Sequence, residues 1–100
     1  MTGIYQTLQT IGIPCAYGRF TKPQEPPFIV YIGDGQNTFK ADNTYSWAEN
    51  RYQVEYYFTL KNEENEAAIE EALLDAGYRY EKSEDVYIED QDIFVIYYNV

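Results

Sequence analysis

Histidine is absent from this 100-residue chain. That removes Ser-His and Cys-His nucleophile pairs and histidine-based zinc sites together. Cysteine occurs once, at Cys15, which excludes an internal disulfide and a thiolate zinc cluster. Between Pro14 and Ala16, Cys15 is expected to act as a small buried hydrophobe. Ser46 and Ser83 are the serines, and neither stands in a nucleophile elbow. Basic residues are scarce, 7 against 17 acidic ones, and they are scattered rather than clustered with aromatics as a nucleic-acid surface requires. No run approaches the roughly 20 apolar residues of a membrane span. The first residues are polar and neutral, unlike a secretory signal. The expectation is a soluble product made in a cytoplasm.

What is present points to one domain, residues 1–100, long enough to bury a core without staples. A hydrophobic content of 45% fits a globular chain. Twelve tyrosines add large apolar faces with polar tips, which suit half-buried strands and protein interfaces alike. The net charge of −10 lies almost wholly in the second half of the chain. Such a chain is repelled by nucleic acid and by anionic membranes. A solvated acidic face is the plain account of that charge. DNA mimicry or docking onto a basic partner are the sharper ones.

The stretch Arg51–Gly77 organises the rest. Tyr52, Val54, Tyr56, Phe58 and Leu60 alternate with Arg51, Gln53, Glu55, Tyr57 and Thr59, the pattern of a strand with one buried face. Asn62 stands at a helix N-cap, with Glu63, Glu64 and Glu66 in the first turn, where their charge suits the helix dipole. Ile69, Ala72, Leu73 and Ala76 then form one apolar stripe, and Gly77 supplies the left-handed stop.

Upstream, residues 2–11 place Ile4, Tyr5, Leu8 and Ile11 on one helical face, with Thr2 as N-cap. Gly12 ends that helix, Ile13 packs back across it, and a short strand follows at Cys15–Tyr17. Residues 18–27, rich in proline, read as a rigid connector rather than an SH3-type ligand, because they lie inside a domain. Phe28–Ile32 is a continuous apolar run suited to a doubly covered strand. Gly33-Asp34-Gly35 marks a turn, and a short strand is expected at Thr38–Ala41 before an excursion at Asp42-Asn43. Phe39, Tyr45 and Trp47 are isolated aromatics on polar sequence. Trp47 reads either as a plug on the domain's own core or as an interface anchor. Downstream, Tyr78–Glu81 and Val86–Ile88 are strand pieces, either two strands or one with a bulge, and Ile93–Tyr98 is an inner strand. The element order predicts an α+β fold, a mostly antiparallel (mixed) sheet with two helices packed on one face.

Catalytic options are thin. Asp90 and Asp92 form a D-x-D beside Glu89, without the glycine and terminal glutamate of a calcium loop. A pair of acids converging as in a glycosidase has little cleft to work in on a domain this small. The chain is therefore expected not to be an enzyme, with no metal and no cofactor.

A resemblance covers nearly the whole chain. It is carried by a short helix ending in Ile11-Gly12-Ile13-Pro14, then Tyr17 and Phe20, then Pro26-Pro27-Phe28-Ile29-Val30-Tyr31. Ala41-Asp42-Asn43 follows, then the strand Tyr52–Thr59 leading into Lys61-Asn62-Glu63 and the helix Glu66–Ala76, and a tyrosine-rich closing strand. In order and spacing these resemble the small tail-terminator, or tail-completion, proteins of long-tailed bacteriophages and prophages. The resemblance implies a virion protein of the head–tail interface, a homo-oligomer expected to be a hexameric ring. Its implied partners are the major tail protein and the head connector or closure protein. DNA would pass through the lumen without specific binding, and no membrane is involved. The family carries over no catalytic residues. On physical grounds, a ring would use the outward strand face at Gln53, Glu55 and Tyr57, the helix flank at Ala67 and Leu74, and the aromatics Tyr45 and Trp47. The plainer account of Ala67 and Leu74 is a wide core face. The alternatives of function are a small acidic phage inhibitor that mimics DNA, and another head–tail connector or closure protein.

Overall fold

In the computed structural model the chain runs α1 (Ile4–Gln9), β1 (Cys15–Tyr17), β2 (Phe28–Lys40), β3 (Ser46–Phe58) and α2 (Glu63–Asp75). It continues with β4 (Glu81–Lys82), β5 (Val86–Ile88), a 3-10 turn at Glu89–Gln91 and β6 (Ile93–Asn99). The structure describes residues 3–40 and 46–100, with the backbone alone at 37–40 and 46–49. One six-stranded sheet has the order β1-β2-β3-β6-β4, with β5 beside β4 on the same edge of β6. β1 pairs parallel to β2, and every other pairing is antiparallel. The fold is α+β with a mixed sheet, as the element order predicts.

Strand alternation sorts the sheet into two faces. Ile29 and Tyr31 of β2, Val54, Tyr56 and Phe58 of β3, and Ile96 and Tyr98 of β6 point to one side. There they meet Ile4 and Leu8 of α1 and Ile69 and Leu73 of α2 in a single core. Both helices therefore lie on one face. Leu8, Ile29, Val54, Tyr56, Ile69, Leu73, Ile96 and Tyr98 are fully enclosed, so this layer supplies the main hydrophobic driving force.

α2 forms where Asn62 starts it. The Asn62 carboxamide oxygen accepts from the backbone N–H of Glu64 (3.0 Å) and Asn65 (3.2 Å), satisfying two donors that a helix start leaves open. Gly77, at φ 91°, ends it without the penalty a side chain would carry. α1 is shorter than the apolar spacing suggests. Its N-cap is Gly3, with no side-chain cap, and the expected cap Thr2 lies outside the described residues. Tyr5 points to solvent. Thr7 takes the buried place, its hydroxyl donating to the Gly3 carbonyl at 2.9 Å.

Four further expectations need correction. Gly33-Asp34-Gly35 is a β-bulge and not a turn: Gly33 pairs with Tyr52 and Gln36 with Asn50, so Asp34 and Gly35 together oppose Arg51. The glycines signal backbone freedom correctly, and Gly35 uses it at φ 82°, but the chain carries straight on. Of the short strand expected at Thr38–Ala41, residues 38–40 are the end of β2, which runs unbroken to Lys40, while Ala41 and the excursion expected at Asp42-Asn43 lie outside the described residues. β3 begins at Ser46, six residues before the apolar face of the alternation starts at Tyr52. Leu60 is 82% exposed, because β3 stops at Phe58 and the chain turns toward α2. Of Tyr78–Glu81 only Glu81 enters β4, and the polar Ser83–Asp85 segment separates β4 from β5 along one edge of β6.

The two long strands outreach their neighbours. β1 ends opposite Tyr31, and the β6 ladder ends opposite Gln53, apart from backbone bonds between Val100 and Tyr52. From Asp34 to Lys40 and from Ser46 to Arg51, β2 and β3 continue as a two-stranded ribbon that no other described strand flanks. The molecule measures 53 × 26 × 26 Å.

Candidate functional site

The face of the sheet turned away from the helices carries the strand residues singled out from the sequence. Gln53, Glu55 and Tyr57 project there from β3, beside Phe28, Val30 and Ile32 of β2 and Ile93, Val95 and Tyr97 of β6. This face is not simply wet. Val30 and Ile93 are nearly buried and Val95 fully so, although neither helix covers them. Part of the cover comes from residues 18–27. The connector folds across the sheet as a strap, with the Phe20 ring edge-on to Phe28 at 5.4 Å and Phe28 stacked on Tyr57 at 4.9 Å. Phe20 is the signal the sequence offered for this: an aromatic in a proline-rich polar loop must find an apolar surface.

Between strap and sheet lies an open groove of about 440 Å³, bordered by Arg19, Phe20 and Lys22 on one side and by Val30, Glu55 and Tyr57 on the other. The Tyr57 hydroxyl donates to Glu55 Oε1 at 2.6 Å. Burial, and then this bond to a carboxylate, push the Tyr57 phenol well above the ordinary tyrosine range, so it stays a donor. Gln53 shares the face but not the groove lining. The groove therefore offers aromatic surface, one carboxylate already engaged and two cations. In no ion pair among the described residues do Arg19 and Lys22 take part.

Of the other residues singled out from the sequence, Ala67, Leu74 and the backbone of Trp47 lie away from this groove. Ala67 and Leu74 sit on the outer side of α2, beyond the opposite face of the sheet. Both are exposed, Leu74 to 56%, so the wide-core account of this flank does not hold. Trp47 belongs to the ribbon, its backbone opposite Phe39, and its side chain is not described. Tyr45 lies outside the described residues. The structure thus brings Glu55 and Tyr57 together, and separates them from the helix flank by the thickness of the domain.

A cluster that sequence reasoning missed joins α2 to the sheet edge. Glu66 reads from the sequence as a first-turn acid that suits the helix dipole, and only 3% of it is exposed. Lys82 Nζ donates to Glu66 Oε1 at 2.9 Å and pairs with Glu70 Oε2 at 2.8 Å. Lys61 Nζ lies 2.8 Å from Glu66 Oε2, as an ion pair without hydrogen-bond alignment, and reaches Asp85 at 3.0 Å. Burial pushes the Glu66 carboxyl up, but the Lys61 and Lys82 ammoniums outweigh it and hold the group below its ordinary value. Tyr98 donates to Glu70 Oε2 at 2.9 Å, and Asn65 donates to the Tyr56 hydroxyl at 3.1 Å. Spatial convergence makes this cluster, since Lys61 comes from the link between β3 and α2, Glu66 from α2 and Lys82 from β4. Chemically it is a clamp: each charge already has a partner.

No protein-family model, curated protein or solved structure matches this chain. Among the described residues no three His, Cys, Asp or Glu side chains converge as metal ligands, and no helix is long and apolar enough to cross a membrane. Asp92 of the D-x-D accepts from the Tyr87 hydroxyl at 2.7 Å.

Proposed function

We propose that this protein is a structural subunit that assembles as a ring at the head-proximal end of a phage tail tube, ending tail growth and joining the tail to the head connector. The whole-chain resemblance in order and spacing supports this reading. The observation that carries it is the β2–β3 ribbon, whose outer half has no flanking strand among the described residues. A two-stranded ribbon alone is marginal in water and gains stability by lying against another surface. A ring subunit supplies that surface from its neighbours and from the tube it caps. Exposed Leu74 and the groove under the strap are further contact surfaces on opposite sides of the domain.

Purified tail tubes test the reading directly. Added protein is expected to decorate one end of each tube as a ring in negative-stain electron microscopy and to stop further polymerisation of the tail protein. Tubes that keep growing, with no density at either end, would count decisively against it.

A second reading draws on the exposed acids of α2, among them Glu63, Glu64, Glu71 and Asp75. A file of carboxylates can imitate a phosphate track and bind a basic DNA-handling enzyme. It predicts salt-sensitive competition with DNA for such an enzyme, and the absence of competition at low salt removes it.

A further inference from the structure

The groove under the strap and the outer flank of α2 are complementary in charge, and they lie on opposite faces of the molecule. We infer that the α2 flank of a second copy seats in the strap groove, with Leu74 entering it and Glu71 and Asp75 meeting Lys22 and Arg19. The inference rests on the ring reading and names the contact between neighbouring subunits.

Ala67, Glu71, Leu74 and Asp75 follow one another at helical spacing, so they share a flank, and all four are exposed. Leu74 is a large apolar side chain 56% exposed amid acids. In no ion pair among the described residues do Glu71 and Asp75 take part. Arg19 and Lys22, which border the groove from the strap, likewise take part in no ion pair among the described residues, on a chain whose net charge is −10. Two cations without an ion-pair partner among the described residues therefore flank an aromatic-walled groove of about 440 Å³, room enough for a leucine side chain. An acidic helix with an apolar knob is the matching occupant, and this chain carries one.

The placement decides the symmetry. α2 packs on the face lined by Tyr56 and Tyr98, whereas the strap packs on the face lined by Phe28 and Tyr57. A contact between one copy's helix flank and the next copy's strap is heterologous, and such a contact closes into a ring when the rotation per subunit allows.

Charge reversal in trans tests the contact. In sedimentation velocity the wild-type chain is expected to self-associate, and to do so at least about tenfold more weakly as salt rises from about 0.05 M to about 0.5 M. Lys22→Glu and Glu71→Lys should each weaken self-association about tenfold or more, because like charges then face each other. An equimolar mixture should restore it. In the mixture each reversed strap meets a reversed helix and each native strap a native helix. Both positions are exposed, so circular dichroism should match wild type; Arg19→Glu with Asp75→Lys serves as a second pair if either variant fails that check. Self-association unchanged by all four reversals, or a mixture that stays dissociated, overturns the contact. A wild-type chain that remains monomeric overturns it as well. The ring reading is judged separately, by whether the wild-type chain caps tail tubes.

Discussion

Glu66 Oε1 and Lys82 Nζ, 2.9 Å apart, join the first turn of α2 to the two-residue strand β4. The contact unites the helix with the edge of the sheet through a carboxylate that is almost wholly enclosed, while the Lys82 side chain is 35% exposed. That asymmetry ranks the consequences of breaking the pair.

Removing the cation is expected to cost more than neutralising the anion. In Lys82→Met, Glu66 stays buried with Lys61 as its remaining ammonium, and Glu70 loses its cation, for a loss of about 2–3 kcal/mol. In Glu66→Gln, Lys82 keeps Glu70 and Lys61 keeps Asp85, so the loss should be nearer 1–2 kcal/mol. Urea unfolding measures both. The reverse order would show that the buried carboxylate is better solvated than its burial implies.

The same cluster sets the pH range of stability. Glu66 titrates below its ordinary value in the fold, so its contribution is present above the unfolded value of about 4.3 and is lost as pH falls through the folded one. Lys82 and Lys61 are raised, chiefly by the carboxylates of Glu70 and Glu66 beside them respectively. Tyr98 is raised by burial and then by Glu70. Contributions of raised groups are full below their unfolded values of about 10 and fade as pH rises through the folded ones. Thermal melts should show a plateau from about pH 5 to about pH 10 with losses on both sides. Glu66→Gln should lessen the acid-side loss specifically, and an unchanged acid limb would assign that loss to other carboxylates.

Gly35 sits in the bulge at φ 82°, with open space where a Cβ would stand. Gly35→Ala therefore meets no clash, only backbone strain of about 1 kcal/mol. Because the ribbon beyond the bulge is flanked by no other described strand, that strain should appear locally. Amide exchange should quicken at Gln36–Lys40 and Ser46–Asn50, while Ile96 and Tyr98 in the core keep their protection. Equal acceleration at both places would mean that the ribbon and the body unfold as one unit.

Much of the architecture is legible in local pattern. The alternation from Tyr52 to Phe58, the Asn62 cap, the Ile69/Leu73 stripe and the Gly77 stop each express a backbone or burial preference confined to a few neighbouring residues. The failures share a different cause. Gly35 permits a left-handed residue, but whether the chain then turns or bulges depends on the partner strand at Arg51. Tyr5 fits the helical stripe by spacing, yet so short a helix leaves it beyond the reach of the core. Glu66 is an ordinary first-turn acid until β4 brings Lys82 against it and Lys61 folds back from just before the helix.

By itself the sequence determines the class of fold, the main core and the chemistry the chain lacks, since these follow from residue type and period. It also places Glu55 and Tyr57 on one strand face and Ala67 and Leu74 on one helix flank. Only the tertiary structure decides that the proline-rich segment is a strap over the second sheet face and that β2 and β3 outrun their neighbours. It alone sets the two candidate surfaces on opposite sides of the domain. Those facts are relations between distant segments, settled by which surfaces must leave water together, and local pattern carries no record of them.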